Sequence, residues 1–204
     1  MGEGILWGPL ILFATTMSFT PGPNVVMVTA SAANFGFVRI IPHMFGITCG
    51  FGLMVIAVGL GLAAFFQAEP RLHMLLKYVG GAYLVYLAWR IAQARAAENT
   101  SARSRPIGFV EAALFQCINP KGWVFAVGAV AAYTTGTGNV LWETAIIATV
   151  LATSCLGSVA VWAGFGAGIG RLLCNPNARR AFNWSMAGLL VLSLMPVFWN
   201  GSSN

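Results

Sequence analysis

Apolar residues in this chain run in long blocks separated by short polar stretches, with no sustained alternation of period two. A helix needs roughly 20 apolar residues to cross the hydrocarbon core of a bilayer. Six blocks meet or approach that length: about 9–33, 40–66, 72–94, 108–134, 141–166 and 182–199. The pattern predicts an all-α integral membrane protein with six transmembrane helices. Between the blocks lie the turn Glu69-Pro70-Arg71 and a polar linker at 95–107 carrying Arg95, Glu98, Arg103 and Arg105. The linker divides the chain into two three-span halves, residues 1–94 and 108–204.

The first block of each half is interrupted. In the first half the interruption is Phe19-Thr20-Pro21-Gly22-Pro23-Asn24, and in the second it is Cys117-Ile118-Asn119-Pro120-Lys121-Gly122. Proline has no amide hydrogen and crowds the carbonyl one turn earlier, so a regular helix does not pass through either stretch. Irregular backbone at membrane depth persists only where it is buried in protein or lines a wet cavity. Pro21 and Pro120 each fall about twelve residues into their block, a rise of about 18 Å, near the bilayer midplane. Three spans per half insert the halves with opposite orientation. Interrupted spans at corresponding positions of two halves point to a transporter's binding site. The expected fold is thus a 3+3 inverted repeat whose first helix in each half is broken at Pro and Gly.

Composition agrees with lipid as solvent. The 204 residues are 58% hydrophobic and 8% charged, with a mean hydropathy of +0.78, where soluble domains carry about 25% charged residues. Eleven Lys and Arg against five Asp and Glu would suit a nucleic-acid ligand, but the basic residues sit between the spans. Arg39, Arg90, Arg95, Arg103, Arg105, Arg171, Arg179 and Arg180 fall on one side, and Arg71 and Lys77 on the other. Basic loops face the cytoplasm, which places both termini outside and makes nucleic acid no partner. Cys49, Cys117, Cys155 and Cys174 have no CxxC pairing and read as small buried side chains. The N-terminus has no basic residue before its apolar run, which suits a first span better than a signal peptide.

Lys121 is the one ionisable residue near mid-span, where charge is costly and marks a cavity or a partner; the alternative is a side chain snorkelling to the interface. Its ammonium, with amides freed at the Pro21–Asn24 and Asn119–Gly122 breaks, suits a carboxylate, and the candidate substrate-binding residues are Thr20, Pro21, Gly22, Pro23, Asn24, Asn119, Pro120 and Lys121. Half-helix N-termini add positive potential there. Glu111 and Glu143, near span starts, favour the helix dipole, and Glu111 is also a candidate proton relay. His43 and His73 read as interfacial. Gly46 and Gly50 allow close helix approach, whereas Gly164, Gly166, Gly168 and Gly170 suggest a flexible helix end. No metal or cofactor is implied.

The residues at the breaks, Thr20-Pro21-Gly22-Pro23-Asn24 and Asn119-Pro120-Lys121, resemble the LysE/RhtB family of amino-acid exporters. So do the glycine-spaced second span and Lys77-Tyr78-Val79-Gly80-Gly81-Ala82-Tyr83-Leu84 with Trp89-Arg90. The resemblance implies an inner-membrane exporter of amino acids or related small metabolites, driven by the proton gradient. It departs where the lysine-exporting branch has an acidic residue in the second span: here stands Thr48-Cys49-Gly50. A neutral, homoserine-, threonine- or leucine-like substrate is the expectation. A competing class is a transmembrane thiol-disulfide electron carrier using Cys49 and Cys117. The glycine-rich spans leave a homodimer open.

Overall fold

The computed structural model describes residues 6–62, 70–94, 105–135, 139–173, 175–193 and 195. Among these, eight α-helices form: α1 (Trp7–Phe19), α2 (Pro23–Phe35), α3 (Ile41–Ala57), α4 (Pro70–Ala92), α5 (Phe109–Gln116), α6 (Pro120–Tyr133), α7 (Val140–Leu172) and α8 (Pro176–Leu192). Proline opens α2, α6 and α8, where its missing amide hydrogen costs nothing because the first turn has no acceptor for it. Asn139 and Asn175 cap α7 and α8, accepting from the amides of Trp142 at 3.2 Å and Asn177 at 2.8 Å. Gly36 ends α2 at φ 82°, a left-handed conformation that favours glycine.

The helix α7 is the axis of the molecule. It packs along α2, α3 and α1, while α3 packs on α5 and α4 on α8. Without a hydrophobic driving force between helices in lipid, such seams depend on close van der Waals fit and interhelical polar contacts. At one end of the bundle the Arg179 guanidinium donates to the carbonyls of Ala33 (3.1 Å), Gly170 (3.2 Å) and Leu173 (3.1 Å). Beside it the amides of Asn34 and Asn183 donate to each other at 2.7 and 3.1 Å, and Asn183 also reaches the Ala94 carbonyl. The ends of α2, α4 and α7 therefore meet the start of α8. At the opposite end, the Tyr133 hydroxyl donates to the Pro9 carbonyl at 3.1 Å, and Glu143 accepts from the Thr135 amide at 2.9 Å. There the start of α1 meets the end of α6 and the start of α7.

Two continuous helical stretches, Val38–Leu62 and Val140–Leu172, are long and apolar enough to cross a bilayer, and the bent pair α1 and α2 makes a third. The chain is an all-helical multi-pass membrane protein among the described residues. The other expected spans fall short by length and composition. Arg71, Lys77 and Arg90 interrupt α4, and α8 has 17 residues, starting at Pro176 rather than 182. Residues 95–104, Cys174 and Trp199 lie outside the described residues.

Several local expectations change. His43 is not interfacial: it is fully buried on α3, with neither ring nitrogen partnered among the described residues. Cys155 is buried as expected, but Cys49 and Cys117 are exposed. The glycines of α7 do not loosen a helix end, for the helix continues to Leu172. Gly166 and Gly170 lie against the backbone of Thr29 and Ala33 so closely that a Cβ would collide. They form the same kind of seam as Gly46 and Gly50, which meet the backbone of Phe109 and Ala113.

Candidate functional site

Both interruptions are real breaks in the helical backbone. Helix α1 stops at Phe19 and α2 starts at Pro23, turned by 54°. Helix α5 stops at Gln116 and α6 starts at Pro120. Each gap is three residues long: Thr20-Pro21-Gly22 and Cys117-Ile118-Asn119. Pro23, not Pro21, starts the helix after the first gap as Pro120 does after the second, and Gly22 and Asn119 occupy the two cap positions. The depth expected from the sequence also shifts, because α1 has 13 residues and α5 only eight. The half-helices that follow the breaks match better, at 13 and 14 residues.

The first intrahelical bonds of these half-helices run from Val26 to the Gly22 carbonyl and from Trp123 to the Asn119 carbonyl. The amides of Asn24 and Val25, and of Lys121 and Gly122, precede them and have no intrahelical acceptor. Two sets of free amides, each at the positive end of a helix dipole, thus open where the breaks meet. The carbonyls left behind at the end of α1 are met by side chains: Ser158 donates to the Ser18 carbonyl at 2.8 Å, and Lys121 Nζ to the Thr20 carbonyl. On the α5 side the Trp123 indole donates to the Cys117 carbonyl at 2.8 Å.

Lys121 joins the two breaks. Its half-buried stem crosses Gly22, where a Cβ would lie 2.6 Å from Lys121 Cδ. A side chain at position 22 would require the lysine to shift. A second link is made by amides. Asn24 Nδ2 donates to Gln116 Oε1 at 2.9 Å, Gln116 Nε2 donates back to Asn24 Oδ1 at 3.2 Å, and Asn119 Nδ2 donates to the same Gln116 oxygen at 3.3 Å. Gln116 and Asn119 are buried. Sequence reasoning missed Gln116, although an uncharged amide one turn before a mid-span proline is a signal of the kind that marked Asn119.

Beside these groups lies a cavity of about 40 Å³ bordered by Ser18, Asn24, Asn119, Lys121 and Cys155, with Phe51 and Phe125 among its apolar walls. Of the expected site residues, the lining includes Gly22, Pro23, Asn24, Asn119 and Lys121; Thr20 enters only through its carbonyl, and Pro21 and Pro120 as the residues that shape the gaps. Roughly three waters fill such a volume. An amino acid does not fit until the walls part.

Glu111 stands apart from this cavity. It pairs with Arg90, accepts from the Tyr83 hydroxyl at 3.1 Å, and has Arg105 at 3.9 Å. This cluster borders an open pocket of about 660 Å³ between α4 and α5. Glu111 thus has ion-pair partners beyond the helix dipole. Glu143 likewise does more than face a dipole, because it accepts both the amide and the hydroxyl of Thr135 at 2.9 and 2.5 Å. Among the described residues, no three His, Cys, Asp or Glu side chains gather as a metal ion would require.

A multi-pass helical membrane protein with a broken span, and with charged and amide groups gathered at its break, belongs architecturally among membrane carriers. The family model described as LysE type translocator matches residues 15–197. The chain belongs to that family. It is 26% identical to the cysteine/O-acetylserine efflux protein of Klebsiella pneumoniae subsp. pneumoniae over 182 residues, 89% of this chain and 91% of that protein. The protein of the same description from Salmonella choleraesuis is 33% identical over 117 residues, 57% of this chain and 59% of its own length. The homoserine/homoserine lactone efflux protein of Salmonella typhimurium is 30% identical over 125 residues, 58% of this chain and 60% of its own. No solved structure matches. None of these relatives supports the thiol-disulfide reading, and both cysteines it required, Cys49 and Cys117, are free and exposed.

Proposed function

We propose that the protein is an inner-membrane secondary transporter that exports small neutral amino acids or related metabolites by proton antiport, with its substrate site at the two helix breaks. The observation that carries this reading is the bond from Lys121 to the Thr20 carbonyl, 101 positions away. It makes the two breaks one place. The substrate carboxylate replaces that carbonyl on the ammonium and takes the free amides of α2 and α6. Thr20, Pro21, Gly22, Pro23 and Asn24 form one wall, and Asn119, Pro120 and Lys121 the other. Among the described residues no Asp or Glu lines the cavity, which disfavours a cationic side chain. The efflux of cysteine, O-acetylserine and homoserine by the relatives fits a neutral substrate.

Residues 1–94 and 108–204 are the two inverted three-span repeats, joined by the 95–107 linker. Contacts at the two bundle ends support six alternating traverses. The ends of α2, α4 and α7 and the starts of α5 and α8 share the end that holds Arg90, Arg105 and Arg179. By the positive-inside rule that end faces the cytoplasm, and both termini lie on the other side. Glu111, at the cytoplasmic end, is the proton-relay candidate.

Inverted membrane vesicles carrying the folded protein test the reading. Under an imposed proton gradient they accumulate a labelled neutral amino acid, and Lys121→Ala lowers the rate about 100-fold, the scale expected when a charge-assisted contact to substrate is lost in a dry site. Asn24→Ala lowers it less. Accumulation that survives both changes removes the site from the breaks. Absence of gradient-driven accumulation for every amino acid tried removes the exporter.

A further inference from the structure

The amide cluster at the breaks has a fixed polarity. Gln116 Nε2 donates to the Ala112 carbonyl at 3.0 Å. A backbone carbonyl only accepts, so this contact determines which end of the Gln116 amide is nitrogen. The other end, Oε1, is then an oxygen, and the groups facing it from Asn24 and Asn119 must be their NH2 ends. The chain of assignments leaves one atom over. Asn119 Oδ1, on a side chain only 2% exposed, is buried with no partner among the described residues. Asn119 and Lys121 both line the cavity at the breaks.

An unpartnered buried carbonyl oxygen is costly. Beside a cation in a cavity it forms half of a recognition pair. Lys121 and the free helix amides attract a negative group, while Asn119 Oδ1 accepts from a positive or neutral donor. Resting on the transporter reading above, we propose that Asn119 is the residue that reads the α-ammonium group of a zwitterionic substrate, through Oδ1, while Lys121 reads its carboxylate. Gln116, itself oriented by the Ala112 carbonyl, is the positioning residue: it holds the Asn119 amide by its nitrogen and leaves Oδ1 without a partner among the described residues. The pair selects for a free amino group next to a free carboxylate. It discriminates against carboxylic acids that lack the amine and against amines that lack the acid.

The test uses the full chain in inverted vesicles and a panel of labelled L-homoserine, L-cysteine, L-threonine and L-leucine. Each is competed against its des-amino counterpart: 4-hydroxybutanoate, 3-mercaptopropanoate, 3-hydroxybutanoate and 4-methylpentanoate. Wild-type protein prefers the amino acid by about tenfold or more, the value of a hydrogen bond to a charged group. Asn119→Ala brings that preference close to unity by weakening the amino acid while the des-amino acid inhibits within about twofold of its wild-type strength. Asn119→Ser, which keeps an acceptor hydroxyl, recovers part of the preference. A wild-type protein that fails to discriminate overturns the proposal, and this arm requires no variant to fold. Equal weakening of both ligands in Asn119→Ala also overturns it, because that is the signature of a structural role. Transport of none of the panel by folded wild-type protein is a distinct outcome, which removes the parent reading and this one with it.

Discussion

The two ends of the bundle are closed by different materials. At the end where α2, α4 and α7 finish, backbone meets backbone. Gly46 and Gly50 sit on the main chain of Phe109 and Ala113, Gly166 and Gly170 on that of Thr29 and Ala33, and Arg179 ties three carbonyls together. Rings pack at both ends, as Tyr83 and Phe115 do near Glu111, but at the other end no glycine-to-backbone seam accompanies them among the described residues. Phe13 lies 5.4 Å from Phe125 and 5.7 Å from Tyr133, and Phe51 lies 5.0 Å from Phe125. The glycine contact at that end, Gly59, meets the Thr144 side chain rather than backbone. A ring can move aside by changing rotamer; a backbone seam has no rotamer to change and opens only if whole helices separate. Phe51 and Phe125 also wall the small cavity at the breaks. This contrast predicts that the cavity enlarges more readily toward the ring end than toward the glycine seams.

The largest expected effect comes from destroying a seam. Gly46→Leu or Gly166→Leu drives a side chain into a carbonyl that cannot retreat, and overpacking at one site costs about 1–3 kcal/mol or more. Little folded protein should be recovered, as read by monodisperse yield and thermal midpoint in detergent. Gly128→Leu, the same enlargement at the ring end, where an added Cβ would meet only the tip of the Phe13 ring at 3.8 Å, should be better tolerated. Equal damage at the two ends would mean that they are equally rigid.

A smaller effect separates the acidic residue at each end. Glu111 holds Arg90 and the Tyr83 hydroxyl at the glycine end, and Glu143 holds Thr135 at the ring end. Glu111→Gln breaks an ion pair whose partners are only about a quarter exposed and should cost about 1–3 kcal/mol, since it leaves Arg90 without a full counter-charge. Glu143→Gln keeps one accepting oxygen and should cost about 1 kcal/mol. Thermal midpoints measure both. Substrate counterflow without a gradient then sharpens the role of Glu111. If it relays protons, Glu111→Gln keeps counterflow and loses gradient-driven accumulation; if it only holds Arg90, the two fall together.

What the sequence disclosed follows from which forces are local. Proline and glycine act on their own backbone, so both breaks could be read without knowing any partner. Which proline starts the first of the new helices was not legible, because Thr20-Pro21-Gly22-Pro23 offers two and only the structure shows that it is Pro23. Polar residues whose partners are distant were harder. Gln116 meets Asn24 at a separation of 92 positions, Asn34 meets Asn183 at 149, and Arg179 meets Ala33 at 146. Gln116 at least stands one turn before Pro120, but nothing beside Asn34, Asn183 and Arg179 in the chain distinguishes them from ordinary polar residues at the ends of apolar blocks. His43 was misplaced for the same reason: its burial is set by the helices packed around α3, not by its neighbours in sequence. Cys49 and Cys117 failed in the opposite sense, since apolar neighbours in a membrane helix say nothing about whether a side chain faces protein or lipid.

The smallest expected effect is also the sharpest test of how the fixed end is built. The four glycines in the last turns of α7, Gly164, Gly166, Gly168 and Gly170, alternate along the chain, but the helix turns them to different faces. Gly166 and Gly170 are one turn apart and touch α2, while Gly164 and Gly168 have no atom within 4 Å of a Cβ. Replacing an open helical glycine by alanine removes backbone freedom from the unfolded chain and favours the helix by up to about 1 kcal/mol. Gly164→Ala and Gly168→Ala should therefore leave the thermal midpoint unchanged or raise it slightly. Gly166→Ala and Gly170→Ala should lower it, because the added methyl meets the Thr29 or Ala33 carbonyl. The sign should alternate within seven consecutive residues. A flexible helix end would give the same sign at all four positions, for stiffening it anywhere would have the same consequence. Alternation in the measured midpoints would show that α7 remains a rigid helix with one interacting face up to its last turn.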